Sequence, residues 1–114
     1  MKRKFILRKN SEINLIFRSN KNHNVKNAFF TLFYVKHVNT LHFKFTLSIS
    51  KKYGKAHERN LIKRRLRMII YNYSKFIDSS VYFAVVIKPK AKELNFANLT
   101  QNLLMLLQKS SLIT

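Results

Sequence analysis

Apolar residues recur along this chain with two different periods, and the changes of period mark its elements. Ile13, Ile16 and Phe17 share one helical face behind Asn10-Ser11, either of which can cap, so a short helix is predicted over 11–19. Ser19-Asn20-Lys21-Asn22-His23-Asn24 follows as a polar loop. Residues 28–38 are aromatic and β-branched, with Thr31, Phe33 and Val35 on one face. From Leu41 to Ser50 the pattern alternates. Phe43, Phe45, Leu47 and Ile49 take one side, and Lys44, Thr46, Ser48 and Ser50 the other. Two strands joined through Asn39-Thr40 as an antiparallel hairpin are therefore expected.

The period then lengthens. Ile62, Leu66, Ile69, Ile70 and Tyr73 fall on one stripe of a helix over about 56–73. Val81-Tyr82-Phe83-Ala84-Val85-Val86-Ile87 reads as a buried strand, stopped at Lys88-Pro89. Asn95 caps a last helix carrying Phe96, Leu99, Leu103, Leu106 and Leu107. Helix, strands, helix, strand, helix is the order of an α+β fold with helices packed on one sheet. Neither a repeat nor a Gly/Ser linker divides the chain, so residues 1–114 are expected to form a single domain.

Charge changes the picture from a generic domain to a polyanion binder. A hydrophobic fraction of 46% supports a packed core, yet 23 Lys and Arg face only four Asp and Glu, for a formal net charge of +19. Nucleic acid is the first candidate partner and an anionic membrane surface the second. No cysteine is present, which removes thiolate chemistry and disulfides. The N-terminal apolar run, Phe5-Ile6-Leu7, is far short of a signal peptide's core, and no stretch has the length of a membrane span. A cytoplasmic location without a membrane partner is expected. Glu12, Glu58, Asp78 and Glu93 are too few and too scattered for a metal-dependent nuclease site, and the histidines lack metal-ligand spacing. His37 and His42, beside the expected turn, read as surface imidazoles. No catalytic residue and no metal ligand is assigned to this chain.

The basic charge concentrates between Ser50 and Arg67, where eight of the 23 Lys and Arg lie beside the only glycine, Gly54. Lys51, Lys52 and Lys55 precede the long helix, and Arg59, Lys63 and Arg67 recur along one edge of it, with Asn60 and Arg64 adjacent. Charge runs are usually solvated faces balanced by i,i+4 partners, but here Glu58 is the single counter-charge. Cations in the N-terminal half of a helix also oppose its dipole, a cost that a bound anion reverses. The strip reads as a phosphate-binding surface, and Asn60 reads either as a plain helix residue or cap or as a base-edge or ribose contact beside the arginines. Core packing is the favoured reading for most of the strand aromatics; if a sheet face is left open, Phe33 with Phe17 nearby makes a platform on which single-stranded bases stack.

The order of these residues resembles the protein subunit family of bacterial ribonuclease P. That family's signature runs basic, hydrophobic, Gly, hydrophobic, any, Val-Ser-Lys-Lys, then Gly-x-Ala-Val-x-Arg-Asn-Arg-x-Lys-Arg-x-x-Arg. Here it stands as Lys44-Phe45-Thr46-Leu47-Ser48-Ile49-Ser50-Lys51-Lys52, then Gly54-Lys55-Ala56-His57-Glu58-Arg59-Asn60-Leu61-Ile62-Lys63-Arg64-Arg65-Leu66-Arg67. Lys9 to Phe17 is similar to the family's Lys-x-x-x-Phe-x-x-Val-Phe helix, and Val85-Val86-Ile87-Lys88-Pro89 to its last strand. Leu61 stands where the signature has its second arginine, Thr46 where it has glycine, Lys44 where it has arginine and His57 where it has valine.

The resemblance implies a two-layer α/β sandwich of the ribosomal S5 domain 2-like type, ordered αβββαβα, with an added short strand near Val25–Asn27. It implies that a catalytic RNA, using its own magnesium, removes the 5′ leader of precursor tRNA, and that the protein supports this without being active alone. It carries Lys51, Lys52, Lys55, Arg59, Asn60, Lys63, Arg64 and Arg67 over as contacts to the catalytic RNA. It places Ile13, Phe17, Thr31 and Phe33 in the cleft that receives the leader of the precursor tRNA. A small structural RNA-binding protein, such as a ribosomal protein, is the alternative that charge and size allow.

Overall fold

A computed structural model describes residues 3–7, 9–18 and 24–113. Its helices are α1 (Asn10–Arg18), α2 (Ala56–Asn72) and α3 (Phe96–Lys109), and its strands β1 (Asn24–Lys26), β2 (Phe30–Val35), β3 (Lys44–Ile49) and β4 (Tyr82–Ile87). The order αβββαβα is the expected one, including the short strand β1. Most of the polar loop assigned to 19–24 lies outside the described residues.

The four strands form one sheet in the order β1-β2-β4-β3. The hairpin expected between residues 28–38 and 41–50 does not form. β4 lies between them, antiparallel to β2 and parallel to β3. The physical reason is burial. β4 is the most continuously apolar strand, with five of its six residues buried, so the centre of the sheet suits it better than an edge. The amphipathic β3 goes to the side. α2 then supplies the crossover that a parallel β3–β4 pair requires.

Alternation on the strands separates two cores. Phe30 and Leu32 of β2, Phe45 of β3 and Phe83, Val85 and Ile87 of β4 face α2 and α3, where Leu66, Ile70, Leu103 and Leu107 close the larger core. Phe45 and Phe83 stack in parallel with ring centroids 5.5 Å apart. α3 opens on its predicted cap, the Asn95 carboxamide oxygen accepting from the Asn98 N–H at 2.8 Å. The opposite sheet face carries a smaller core, in which Ile16 of α1 is buried with Leu7, Tyr82 and Ala84. α1 is pinned there by Glu12, which accepts from the Tyr82 hydroxyl at 3.0 Å and pairs with Lys44 at 3.5 Å. The N-terminal apolar run has a structural use too. Ile6 bridges Phe45 in parallel, and the Leu7 N–H donates to the Phe45 carbonyl at 2.9 Å, covering part of the β3 edge.

Candidate nucleic-acid interface

The basic segment starts where β3 ends. Lys51–Tyr53 form a single 3-10 turn with Lys51 and Lys52 exposed, and Gly54 and the exposed Lys55 lead into α2. The entry to the helix is fixed by Glu58. Its carboxylate accepts from the Lys55 backbone N–H at 2.9 Å and pairs with Lys92 at 2.7 Å. The Lys92 contact, then the Lys55 N–H, hold the Glu58 carboxyl below its ordinary range. Gly54 is needed because a Cβ there would sit 2.7 Å from Glu58 Oε1. Glu58, the only acid of the run, is thus committed to a lysine outside it. Sequence reasoning gave no signal for Lys92.

α2 then sorts its residues by angle. Ile62, Leu66, Ile69 and Ile70 are buried. Arg59, Lys63 and Arg67 are half-buried along one flank, and Asn60 and Arg64 project from the exposed back of the helix. The other flank carries Glu58, Leu61 and Arg65, which face Leu99 of α3 and the loop holding Lys92. The cation strip therefore lies on the side of α2 turned away from α3. Among the described residues the ion pairs are Lys44–Glu12 and Lys92–Glu58, so no carboxylate neutralises Arg59, Lys63 or Arg67. No group of three or more His, Cys, Asp or Glu converges anywhere among the described residues.

The cleft residues lie on the other sheet face. Register sets them in rows. One row runs Val35, Tyr82, Lys44, and the next Asn24, Phe33, Ala84, Thr46. α1 packs over these rows, and Ile13 joins the small core there beside Phe33. The Phe17 and Phe33 rings meet with centroids 5.1 Å apart and planes tilted by 57°, and Phe17 remains 44% exposed. The last row, Lys26, Thr31, Val86, Ser48, is not buried: Lys26 and Ser48 are exposed and Thr31 and Val86 half-exposed. Ile13, Phe17 and Phe33 thus form one cluster, and Thr31 belongs to the open row beside it. Val86 was not anticipated as a cleft residue. Its face depends on which strands pair, which local alternation does not specify. Ser48 of this row is followed closely by Lys51 and Lys52, so the open floor and the basic turn adjoin along the chain.

An apolar and hydroxyl-bearing floor beside an aromatic wall, with Lys26 exposed in that floor and Lys51 and Lys52 exposed just past its end, suits a single strand that stacks its bases and presents phosphates to lysines. A family model described as Ribonuclease P matches residues 1–111. The chain is 56% identical over 99 residues to a Ribonuclease P protein component from Phytoplasma australiense, covering 87% of this chain and 84% of that protein. It is 39% identical over 113 residues to a protein of the same name from Acholeplasma laidlawii (strain PG-8A), covering 99% and 95% of the two chains. Its fold matches a solved structure of a Staphylococcus aureus RNase P protein mutant with a TM-score of 0.87 at 25% identity, over 96% of this chain and 90% of that one.

Proposed function

The chain belongs to the ribonuclease P protein family, and from that membership we propose that it binds the catalytic RNA of the ribonucleoprotein and the 5′ leader of precursor tRNA. The observation that carries the reading is the flank of Arg59, Lys63 and Arg67, three cations in line with their nearest acid already paired elsewhere. That flank, with Lys51, Lys52, Lys55, Asn60 and Arg64, docks the phosphates of the catalytic RNA. The leader lies over Thr31 and stacks against Phe17 and Phe33, with Ile13 backing them. Family membership favours this reading over a purely structural RNA-binding role.

Hydrolysis belongs to the RNA. Among the described residues of the protein, no three His, Cys, Asp or Glu side chains converge. Magnesium held by the RNA would supply an activated water and charge stabilisation at the phosphodiester. The protein's own part is to bind and orient. It fixes the leader relative to the RNA, so that a second encounter becomes an internal one, and its positive field lowers the repulsion between two polyanions. It is inactive by itself and works in the cytoplasm.

Reconstitution tests this. Purified protein alone is expected to leave precursor tRNA uncut, and protein plus cognate RNA at low magnesium to release the leader faster than RNA alone. If the pair gains nothing over the RNA, the proposal fails.

A further inference from the structure

The flank of α2 opposite the cation strip closes a cavity of about 280 Å³ against α3 and the loop before it. Its wall is apolar, from Leu61, Leu94 and Leu99, and its rim is polar, from His57, Arg65 and Lys92. Inside sits Tyr53, only 7% exposed. The groups that act electrostatically on its phenol are Lys92, Glu58 and Arg65, all of which line the cavity, and no hydrogen bond to that phenol forms among the described residues. That hydroxyl can donate to a group placed in the cavity. Burial pushes the Tyr53 phenol above its usual range, so at neutral pH it remains a donor awaiting an acceptor.

We propose that this cavity binds a nucleotide, its base on the leucines with a ring atom accepting from the Tyr53 hydroxyl, and its phosphate at Arg65 and His57. The volume argues for a single ring system, since pockets for drug-sized ligands begin at about 300 Å³. The charge argues for an anion. The carboxylate on the cavity, Glu58, is already held by Lys92 and the Lys55 N–H, and among the described residues the Arg65 guanidinium has no carboxylate partner. The apolar wall argues against a bare anion, which would gain nothing from Leu61, Leu94 and Leu99. The site is distinct from the strip and from the leader cleft, and it stands whether or not the RNA-docking reading holds. An unpaired nucleotide of an RNA and a free mononucleotide present the same base and phosphate.

The test titrates adenosine 5′-monophosphate, adenosine and inorganic phosphate separately into the full chain while the methyl resonances of Leu61, Leu94 and Leu99 are followed by NMR. Adenosine 5′-monophosphate is expected to shift all three saturably, adenosine to do so more weakly, and phosphate to leave them in place. Tyr53→Phe is expected to weaken the nucleotide about fivefold, the worth of one hydrogen bond, without lowering Tm. Leu61→Arg, which fills the cavity from a half-buried helix flank, is expected to abolish the shifts. Absence of a saturable shift with the nucleotide, or the same shift from phosphate alone, overturns the proposal. Repeating the titration on the complex with cognate RNA separates the sources. Loss of the nucleotide response there places an RNA residue in the cavity, and its persistence leaves a mononucleotide as the ligand.

Discussion

Replacing Arg59, Lys63 and Arg67 together by glutamine removes the cation strip and little else. The three lie on one flank of α2 at intervals of four residues, which at 1.5 Å per residue spaces them about 6 Å apart and spreads the strip over about 12 Å. That length is close to the Debye length of about 10 Å at 0.1 M salt, so the strip acts as one field. Each phosphate contact contributes about 0.7–0.9 to the slope of log affinity against log salt, and three contribute about 2–3. Between 50 and 200 mM salt, a change of about 0.6 in the logarithm, the parent should therefore lose about 20- to 40-fold more affinity than the variant. Fluorescence anisotropy with the cognate RNA across that range, at fixed magnesium, measures both slopes. Glutamine has nearly the helix propensity of the residues it replaces, so Tm should hold or rise as self-repulsion falls. Lys109→Gln, at the far end of α3, is the control and should leave the slope alone. A triple variant whose slope lies within about 0.5 of the parent's would show that these side chains do not meet phosphate.

Phe17→Ala should weaken precursor tRNA by about fivefold, the lower end of what one stacked base contributes because Phe17 is half-exposed, and leave binding of leaderless tRNA unchanged; parallel titrations of the two RNAs decide it. Gly54→Ala should lower Tm by a few degrees, because the new Cβ meets the Glu58 carboxylate at 2.7 Å; an unchanged melting curve would mean that the Glu58–Lys92 pair does not fix the start of α2. Ile16→Ala should cost about 2–4 kcal/mol in urea unfolding, as a fully buried side chain is truncated, and a loss under about 1 kcal/mol would show that α1 packs loosely. Asp78 gives a pH prediction. The Ser80 N–H at 2.9 Å and hydroxyl at 2.8 Å hold its carboxyl below the ordinary range. A depressed carboxylate contributes stability that is complete above its unfolded pKa of about 4 and is lost as pH falls through the lower folded value. Asp78→Asn should accordingly flatten the acid limb of a stability–pH profile, and identical limbs would remove Asp78 from the account.

Much of this was legible because it is periodic. The stripe Ile62, Leu66, Ile69, Ile70 and the strip Arg59, Lys63, Arg67 are both helical repeats, and one helix keeps both at their predicted angles. β3 kept its two faces for the same reason, with Phe45 buried and Ser48 exposed. What failed was pairing. Strands adjacent in sequence usually neighbour one another, and Asn39-Thr40 supplied turn chemistry, but neither fact weighs the competing claim of a later strand. β4 took the position between β2 and β3 because burial of five of its six side chains outweighs a local turn. The same long-range choice decided what alternation alone left open: that Val86 belongs to the cleft floor, and that Lys92 rather than a neighbour in the run neutralises Glu58.

The position of Glu58 explains how a domain of net charge +19 can keep a strongly basic helix both folded and available. A helix start needs negative charge and acceptors near its N–H groups, and α2 has a single acid to offer there. Had that acid turned toward Arg59 or Lys63, the strip would have lost part of its field. Instead it turns toward Lys92 and the Lys55 N–H on the α3 side. The helix is thereby capped, the loop before α3 is tied to it, and Arg59, Lys63 and Arg67 have no carboxylate partner among the described residues. Three faces of one helix follow from that choice: a buried stripe that builds the core, a flank left cationic for a polyanion, and a flank that closes on α3 around Tyr53.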